Sequence, residues 1–411
     1  MTQPSGYSHI TQQEYESVAG PDWPCYDDFC QHKNVASFVY EEIDLMLKPP
    51  ISFDHTSFCI LPFYGMEFWA GSKQTTPSTT FCCLVPDGQD RESVKKDMLN
   101  GIRPEACRAC WALEEQGLVS DRLIKNKSID HDLQKDIQQL FTGYTQEKNS
   151  IIHYKIDSNN TCNSTCVICN STYSTAWAQL ERKNGKTPQK TWNISPAKLD
   201  SNIDYSTAAS IGFRGGEPLL SDKTWYVLEK LLQDNNTECF INFTTNGSIP
   251  LTPKQKNIIS KFKTVTFNFS IDGIGPVFEY LRYPLRWSDL EKNVQYCRDN
   301  NILIRSTYSI CNLNILYHLQ TKAWFDSNQI IYSQNPVYYP VYFRPAALPK
   351  KIKDLILQQQ KNEKLTNALL DSHTPLDDEH YKLFLQNIAQ QDAWKGIKMQ
   401  DYLPELSKLL G

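Results

Sequence analysis

From about residue 150 onwards, short apolar runs alternate with longer stretches in which apolar residues recur every three or four positions. The first pattern predicts strands and the second predicts helices. Ile151-Ile152-His153-Tyr154-Lys155-Ile156 reads as a first strand, and Trp177 with Leu180 marks a helix after it. A polar loop is expected from Glu181 to Asn202, then a second strand from Ala208 to Arg214. Trp225, Leu228, Leu231 and Leu232 fall on one side of the next helix. Glu238 to Thr244, Lys263 to Ile271, Ile302 to Ile310 and Pro336 to Phe343 are the third to sixth strands. Ser288-x-x-Glu291 has the form of a capping box, opening a helix with Leu290, Val294 and Cys297 inward. Leu316, Leu319 and Trp324 mark one more helix. Such alternation implies a parallel sheet. The fold class expected is α/β, a partial (β/α)6 TIM-like barrel over residues 150–345. In barrels of this kind chemistry sits at the C-terminal ends of the strands.

The flanks read differently. Residues 1–52 form a polar, then mixed, N-terminal extension, in which Cys25 and Cys30 read as ordinary thiols. Residues 53–122 predict a small module: Phe58 to Phe63, Gly65 to Gly71 and Phe81 to Leu84 as a β-hairpin, then a helix from Glu92 to Asn100. Ile129, Leu133, Ile137, Leu140 and Phe141 have helical period, so residues 123–149 are expected to be a linking helix. Residues 346–411 read as helices, with Thr374-Pro375 as a helix start and no evident chemistry.

Net charge is −4, from 42 basic and 46 acidic residues, which gives no electrostatic case for a nucleic-acid footprint. No apolar run is long enough to span a membrane, and Met1 to Gly20 lacks the basic and apolar segments of a signal peptide. The high and odd count of 13 cysteines therefore points to metal binding in a reducing cytoplasm rather than to disulfides.

Two cysteine sets stand out. Cys162, Cys166 and Cys169 form a C-x3-C-x2-C triplet directly after the first core strand. Zinc usually takes four ligands grouped as pairs, and no fourth Cys or His follows here; His153 lies upstream on the strand. A four-iron cube also has four corners, so three thiolates leave one open for chemistry. The second set is the hairpin cysteines, Cys59 and Cys82, with the C-x2-C pair Cys107 and Cys110. Four thiolates close a [4Fe–4S] cluster completely, and a four-cysteine zinc ribbon is the alternative. Cys82 is preferred over its neighbour Cys83 because it shares a face with Thr80.

The triplet resembles the signature of radical S-adenosylmethionine (SAM) enzymes. Gly215-Gly216-Glu217-Pro218 at the end of the second strand matches that superfamily's Gly-Gly-Glu-Pro motif. Thr244-Thr245-Asn246-Gly247 is similar to its Thr-Asn-Gly element, and Ser270-Ile271-Asp272-Gly273 to its Ser-x-Asp-Gly strand end. Tyr280-Leu281-Arg282 follows as in peptide-modifying members, and Arg282, with Arg305 as a weaker candidate, suits a carboxylate. Residues 53–122 resemble the SPASM/twitch auxiliary-cluster module through Phe58-Cys59-x-x-Pro62, the Gly71 turn, Cys82-Cys83 and Arg103-Pro104-Glu105-x-Cys107-x-x-Cys110, then Glu114-Glu115-x-Gly117. Two features depart from that module: it precedes the core here, and a Ser/Thr-rich insertion separates Gly71 from Cys82. At Ile168 the superfamily commonly has an aromatic residue.

The resemblance implies a [4Fe–4S] cluster on Cys162, Cys166 and Cys169, with SAM held at its open iron. It implies SAM contacts from Gly215, Gly216, Glu217, Pro218, Thr245, Asn246, Ser270 and Asp272, and a second, auxiliary cluster on Cys59, Cys82, Cys107 and Cys110. A peptide or protein side chain is the substrate expected first, with an electron donor such as flavodoxin or ferredoxin as partner. The alternatives are radical modification of a sugar, nucleotide or RNA, or a non-catalytic iron–sulfur or zinc interaction protein.

Overall fold

The computed structural model describes residues 57–69, 78–82, 84–85, 89–114, 120, 122–123, 125–126, 151–337, 339–361, 363–370 and 378–410. Cys25, Cys30, Gly71, Cys83, most of the expected linking helix and the Thr374-Pro375 helix start lie outside the described residues.

The N-terminal part contains α1 (Ile60–Tyr64), β1 (Gly65–Trp69), β2 (Ser78–Thr80), α2 (Arg91–Leu99) and α3 (Arg108–Glu114). Then come β3 (His153–Asp157), α4 (Thr175–Lys183), α5 (Pro196–Asp200), β4 (Ser210–Arg214), α6 (Asp222–Gln233), β5 (Phe240–Thr245), α7 (Pro253–Ile259) and β6 (Val265–Ser270). The remainder is α8 (Pro276–Leu281), α9 (Trp287–Asp299), β7 (Leu303–Ile310), α10 (His318–Ser327), β8 (Ile331–Pro336), α11 (Lys350–Gln359) and α12 (Lys364–Leu370). α13 (Asp378–Lys395), α14 (Met399–Tyr402) and α15 (Pro404–Leu410) close the described chain. No helix among the described residues is long and apolar enough to cross a membrane.

All the strands among the described residues join one 8-stranded sheet in the order β2-β1-β3-β4-β5-β6-β7-β8, open between its two edges. β3 to β8 run parallel in chain order, the α/β partial-barrel arrangement that the sequence predicts. β1 also pairs parallel with β3, Gly65 opposite His153, while β2 pairs antiparallel with β1. The N-terminal hairpin therefore extends the core sheet directly.

Side chains alternate across this sheet. Tyr154, Ile156, Ile211, Phe213, Ile241, Phe243, Phe267 and Phe269 face the helices and form the main core with Leu228, Leu231, Leu290 and Val294. Phe213, Phe243 and Phe267 make a row, with ring centroids 5.4 and 4.9 Å apart. The opposite face carries Lys155, Asp157, Arg214, Asn242, Asn268, Arg305 and Thr307, which the register places on one side. Parallel sheets are ordinarily apolar on both faces, so a polar face marks a surface kept for a ligand rather than for packing.

Five local expectations change. The second hairpin strand is Ser78–Thr80, so Phe81 and Cys82 follow it rather than form it. The loop expected from Glu181 to Asn202 holds α5, which Ser195 caps and Pro196 opens. Ile60–Tyr64 is helix, not strand; every residue in it is buried, and an unbroken apolar run does not separate the two by period. The sixth core strand is Ile331–Pro336, and Val341–Phe343 is a 3-10 turn. Pro336 and Pro340 lack the N–H that continuing the ladder would need. α9 begins at Trp287, with Arg286 as its cap and no side-chain cap bond, so Ser288 is already inside the helix. Glu279 takes the capping role, its Oε1 accepting the Trp287 N–H at 3.0 Å.

Candidate active site

The loop leaving β3 carries the triplet, and polar residues fix its path. Asn160 is fully buried; its Nδ2 donates to the Thr172 carbonyl at 3.3 Å and its Oδ1 accepts the Trp192 N–H at 3.3 Å. Thr175 Oγ1 accepts the Cys162 N–H at 3.1 Å, and Ser174 Oγ donates to the Ser164 carbonyl at 2.6 Å. Trp177 Nε1 donates to the Cys166 carbonyl at 2.9 Å, tying α4 to the loop. On the other side, the Thr165 and Val167 amides donate to the Tyr283 and Leu281 carbonyls at 2.6 and 2.8 Å.

The thiols converge inside this frame. Ser164 Oγ lies 3.2 Å from Cys162 Sγ and 3.3 Å from Cys166 Sγ. Burial, then the neighbouring thiols, pushes the Cys162 and Cys169 thiols up. As free thiols they therefore stay protonated, and binding a metal group would release those protons. Two cations face them. Arg282 Nη1 sits 3.9 Å from Cys166 Sγ. Lys395 is lowered to about 8 by burial, partly offset by the charges of Cys166, Asp392 and Cys169.

Gly215 and Gly216 seat β4 against this loop. The Gly216 N–H donates to the Asn159 carbonyl at 2.9 Å and the Glu217 N–H to the Thr161 carbonyl at 2.7 Å. A Cβ on Gly216 would lie 2.2 Å from the Thr161 carbonyl oxygen, and one on Gly215, whose φ is +109°, 2.7 Å from that of Asn159. Both glycines are thus required by close backbone approach.

Glu217 joins the motifs. Its Oε1 accepts from Thr245 Oγ1 at 2.7 Å and from the Leu219 N–H at 3.1 Å, and its Oε2 accepts the Asn246 N–H at 2.8 Å. Burial raises its carboxyl to about 7 despite those donors. Asn246 Nδ2 in turn donates to Asn163 Oδ1 in the cysteine loop at 2.8 Å. Pro218 is buried behind this turn.

The structure uses the remaining predicted residues in different ways. Both Asp272 oxygens are taken, one by Arg282 Nη2 at 2.7 Å and one by the Ser309 N–H at 2.9 Å. Arg282, expected to hold a ligand carboxylate, holds this internal one. Ser270 ends β6 half-buried on the polar face, opposite Thr307. Arg305 lies on that face opposite Asn268. His153 starts β3, bonded to Ser210, at the far end of the strand from the triplet.

Cys59, Cys82, Cys107 and Cys110 line one cavity with Leu61, Pro62, Phe81 and Arg122. Burial, then Cys110, pushes the Cys107 thiol up to about 12, and Cys59 is raised by burial and then by Cys110. The Leu84 N–H points at Cys82 Sγ, 3.5 Å away. This cluster packs on Ile152 and Ala209, which precede β3 and β4. It therefore occupies the start edge of the sheet, and the triplet the finish edge. β3 alone, at about 3.3 Å per residue, separates them by about 16 Å. Among the described residues no group of three or more His, Cys, Asp or Glu is gathered to hold a single metal ion.

Sequence reasoning read residues 346–411 as helices but missed the part that α13 plays at the site. Gln391 Nε2 donates to the Val167 carbonyl at 3.0 Å, and the Lys395 ammonium lies 4.9 Å from the Trp177 ring centroid. A signal was available: Phe384, Ile388 and Gln391 share the buried stripe of α13, and a Gln in that stripe needs a polar partner. Glu67 was missed too; it reaches the polar face from β1 and pairs with Lys155 at 3.0 Å and Arg214 at 3.2 Å.

No family model matches this chain, and no curated protein matches it. Among solved structures it is similar to anSMEcpe with bound AdoMet, at 16% identity and TM-score 0.37, covering 59% of this chain and 61% of that one. It is also similar to Streptococcus suis SuiB bound to the precursor peptide SuiA, at 12% identity and TM-score 0.35, covering 73% of this chain and 60% of that one. The chain thus spans about three-fifths of the length of these structures.

Proposed function

We propose that the chain is a radical SAM enzyme, which cleaves SAM reductively and takes a hydrogen atom from a second substrate. The observation that carries this reading is a juxtaposition. Cys162, Cys166 and Cys169 share one loop at the finish edge of a parallel sheet, and the Gly215-Gly216-Glu217 turn is bonded onto that loop. The donor set fits a four-iron cluster: three thiols converge, and Arg282, whose Nη1 lies 3.9 Å from Cys166 Sγ, has a buried Nε with no acceptor among the described residues. When bound there, a [4Fe–4S] cluster supplies the electron for SAM cleavage.

The chain's own residues do the rest. Glu217 fixes the Thr245-Asn246 tip against the cysteine loop, and Arg282 and Lys395 offset the charge of three thiolates. Half-buried Gly215, Gly216 and Ser270 border the space proposed for SAM. The polar face of the sheet, with Asn242, Asn268 and Thr307, is proposed to receive the substrate. A peptide or protein side chain remains the first substrate class, with flavodoxin or ferredoxin as the proposed electron donor. Cys59, Cys82, Cys107 and Cys110 are proposed to hold an auxiliary [4Fe–4S] cluster. Its place at the opposite edge supports a structural or electron-accepting role rather than direct contact with substrate at the SAM site.

The test is anaerobic reconstitution with iron and sulfide, then SAM and dithionite. 5′-Deoxyadenosine is expected from the wild-type chain and none from Cys162→Ala. A fully iron-loaded chain that releases no 5′-deoxyadenosine contradicts the proposal.

A further inference from the structure

Helix α13 is tied to the cysteine loop directly through Gln391, and indirectly through Trp177 of α4 and through Tyr280 and Tyr283. Gln391 Nε2 donates to the buried Val167 carbonyl across 224 residues of sequence. Lys395 Nζ donates to Gln391 Oε1 at 2.8 Å and sits over Trp177, whose indole N–H holds the Cys166 carbonyl. Tyr280 OH donates to Asp392 Oδ1 at 2.9 Å, and Tyr283 OH to the Lys395 carbonyl at 3.4 Å. The Tyr283 carbonyl in turn accepts the Thr165 N–H. The loop thus lies between α13 and the segment after α8, and each side brings a cation: Lys395 from one and Arg282 from the other.

We propose that Lys395 is a positioning residue whose charge, acting with Arg282, sets the reduction potential of the group held by Cys162, Cys166 and Cys169. This rests on the cluster reading given above. Reduction adds a negative charge to a group already bearing three thiolates. A cation beside it, in a partly buried site where charges are weakly screened, favours the reduced form. Net charge and solvent exposure are the ordinary determinants of iron–sulfur potentials. Arg282 is locked to Asp272, so deleting it strands a buried carboxylate and confuses the comparison. Lys395 also has a carboxylate neighbour, Asp392, but that one keeps its bonds from Tyr280 OH and the Met399 N–H when Lys395 is replaced.

The experiment is a redox titration of the reconstituted chain, followed by the electron paramagnetic resonance of the reduced cluster, for wild type, Lys395→Met and Lys395→Arg. The Met variant is expected to load wild-type iron and to shift the midpoint to more negative potential. The Arg variant is expected to return it to the wild-type value. If Lys395→Met loses iron, Lys395→Gln replaces it in the titration. If both neutral variants lose iron and Lys395→Arg keeps it, the cation acts on retention of the cluster rather than on its potential, which overturns the inference. A loaded neutral variant with the wild-type midpoint overturns this inference alone. A wild-type chain with no cluster lost on Cys162→Ala overturns the cluster reading instead.

Discussion

Gly216→Ala perturbs the seam between β4 and the cysteine loop, and the structure gives its size. The added Cβ would stand 2.2 Å from the Thr161 carbonyl oxygen and 2.8 Å from the Asn160 carbonyl carbon. Both are backbone atoms, so no side chain can swing aside. Restoring an ordinary separation of about 3.5 Å moves one backbone off the other by about 1 Å. That breaks the Gly216-to-Asn159 and Glu217-to-Thr161 hydrogen bonds. Each is worth about 1 kcal/mol net, and stranding the buried groups adds to it, for a total of about 2–4 kcal/mol. Gly212→Ala, in the same strand, is the control: its Cβ would meet nothing closer than 3.8 Å. It is expected to be neutral or to stabilise by up to about 1 kcal/mol. Urea unfolding and iron content after reconstitution read both variants. Gly216→Ala should unfold earlier and lose iron from the triplet, with Gly212→Ala like wild type. A Gly216→Ala chain that matches wild type in both measurements refutes the seam.

Two further predictions follow from the other charged and cysteine sites. Burial pushes Glu67 up, but Lys155 and Arg214 outweigh it and hold the carboxyl at about 2 against an ordinary value near 4.5. A lowered folded value means stability present above pH 4.5 and lost as pH falls towards 2, by about 3 kcal/mol in all. Glu67→Gln should remove that acid slope and destabilise by about 2–4 kcal/mol at pH 7; urea titrations at pH 7, 4.5 and 3 test it. Replacing Cys107 and Cys110 by Ala should remove about half the bound iron and leave the triplet's cluster spectrum intact, as read by iron assay and resonance spectra. Unchanged iron, or stoichiometric zinc at the wild-type site, contradicts the auxiliary cluster.

The sheet was legible because its strands alternate: Tyr154 and Ile156 face helices while Lys155 and Asp157 do not, a period-two signal that sequence alone carries. The triplet and the Gly-Gly-Glu-Pro turn were legible because their spacing is local. The addition of β1 to β3 was not, since pairing between Gly65 and His153 spans a long intervening segment and leaves no periodic trace. The part of α13 in the site was hidden for the same reason. Gln391 reads as an ordinary helix residue until Val167, far upstream, is placed against it. Ile331–Pro336 was misplaced because aromatic and apolar residues continue through Val337 to Phe343, and only the prolines record where the ladder stops.

The central claim is that three thiolates hold a cluster with one open corner. Mössbauer spectra of the iron-57-reconstituted Cys107→Ala, Cys110→Ala chain, with and without SAM, test it most directly. One iron of the remaining cluster should change its signal when SAM is added, while the other three do not. Four irons indifferent to SAM, or a redox-silent metal in their place, would contradict the account.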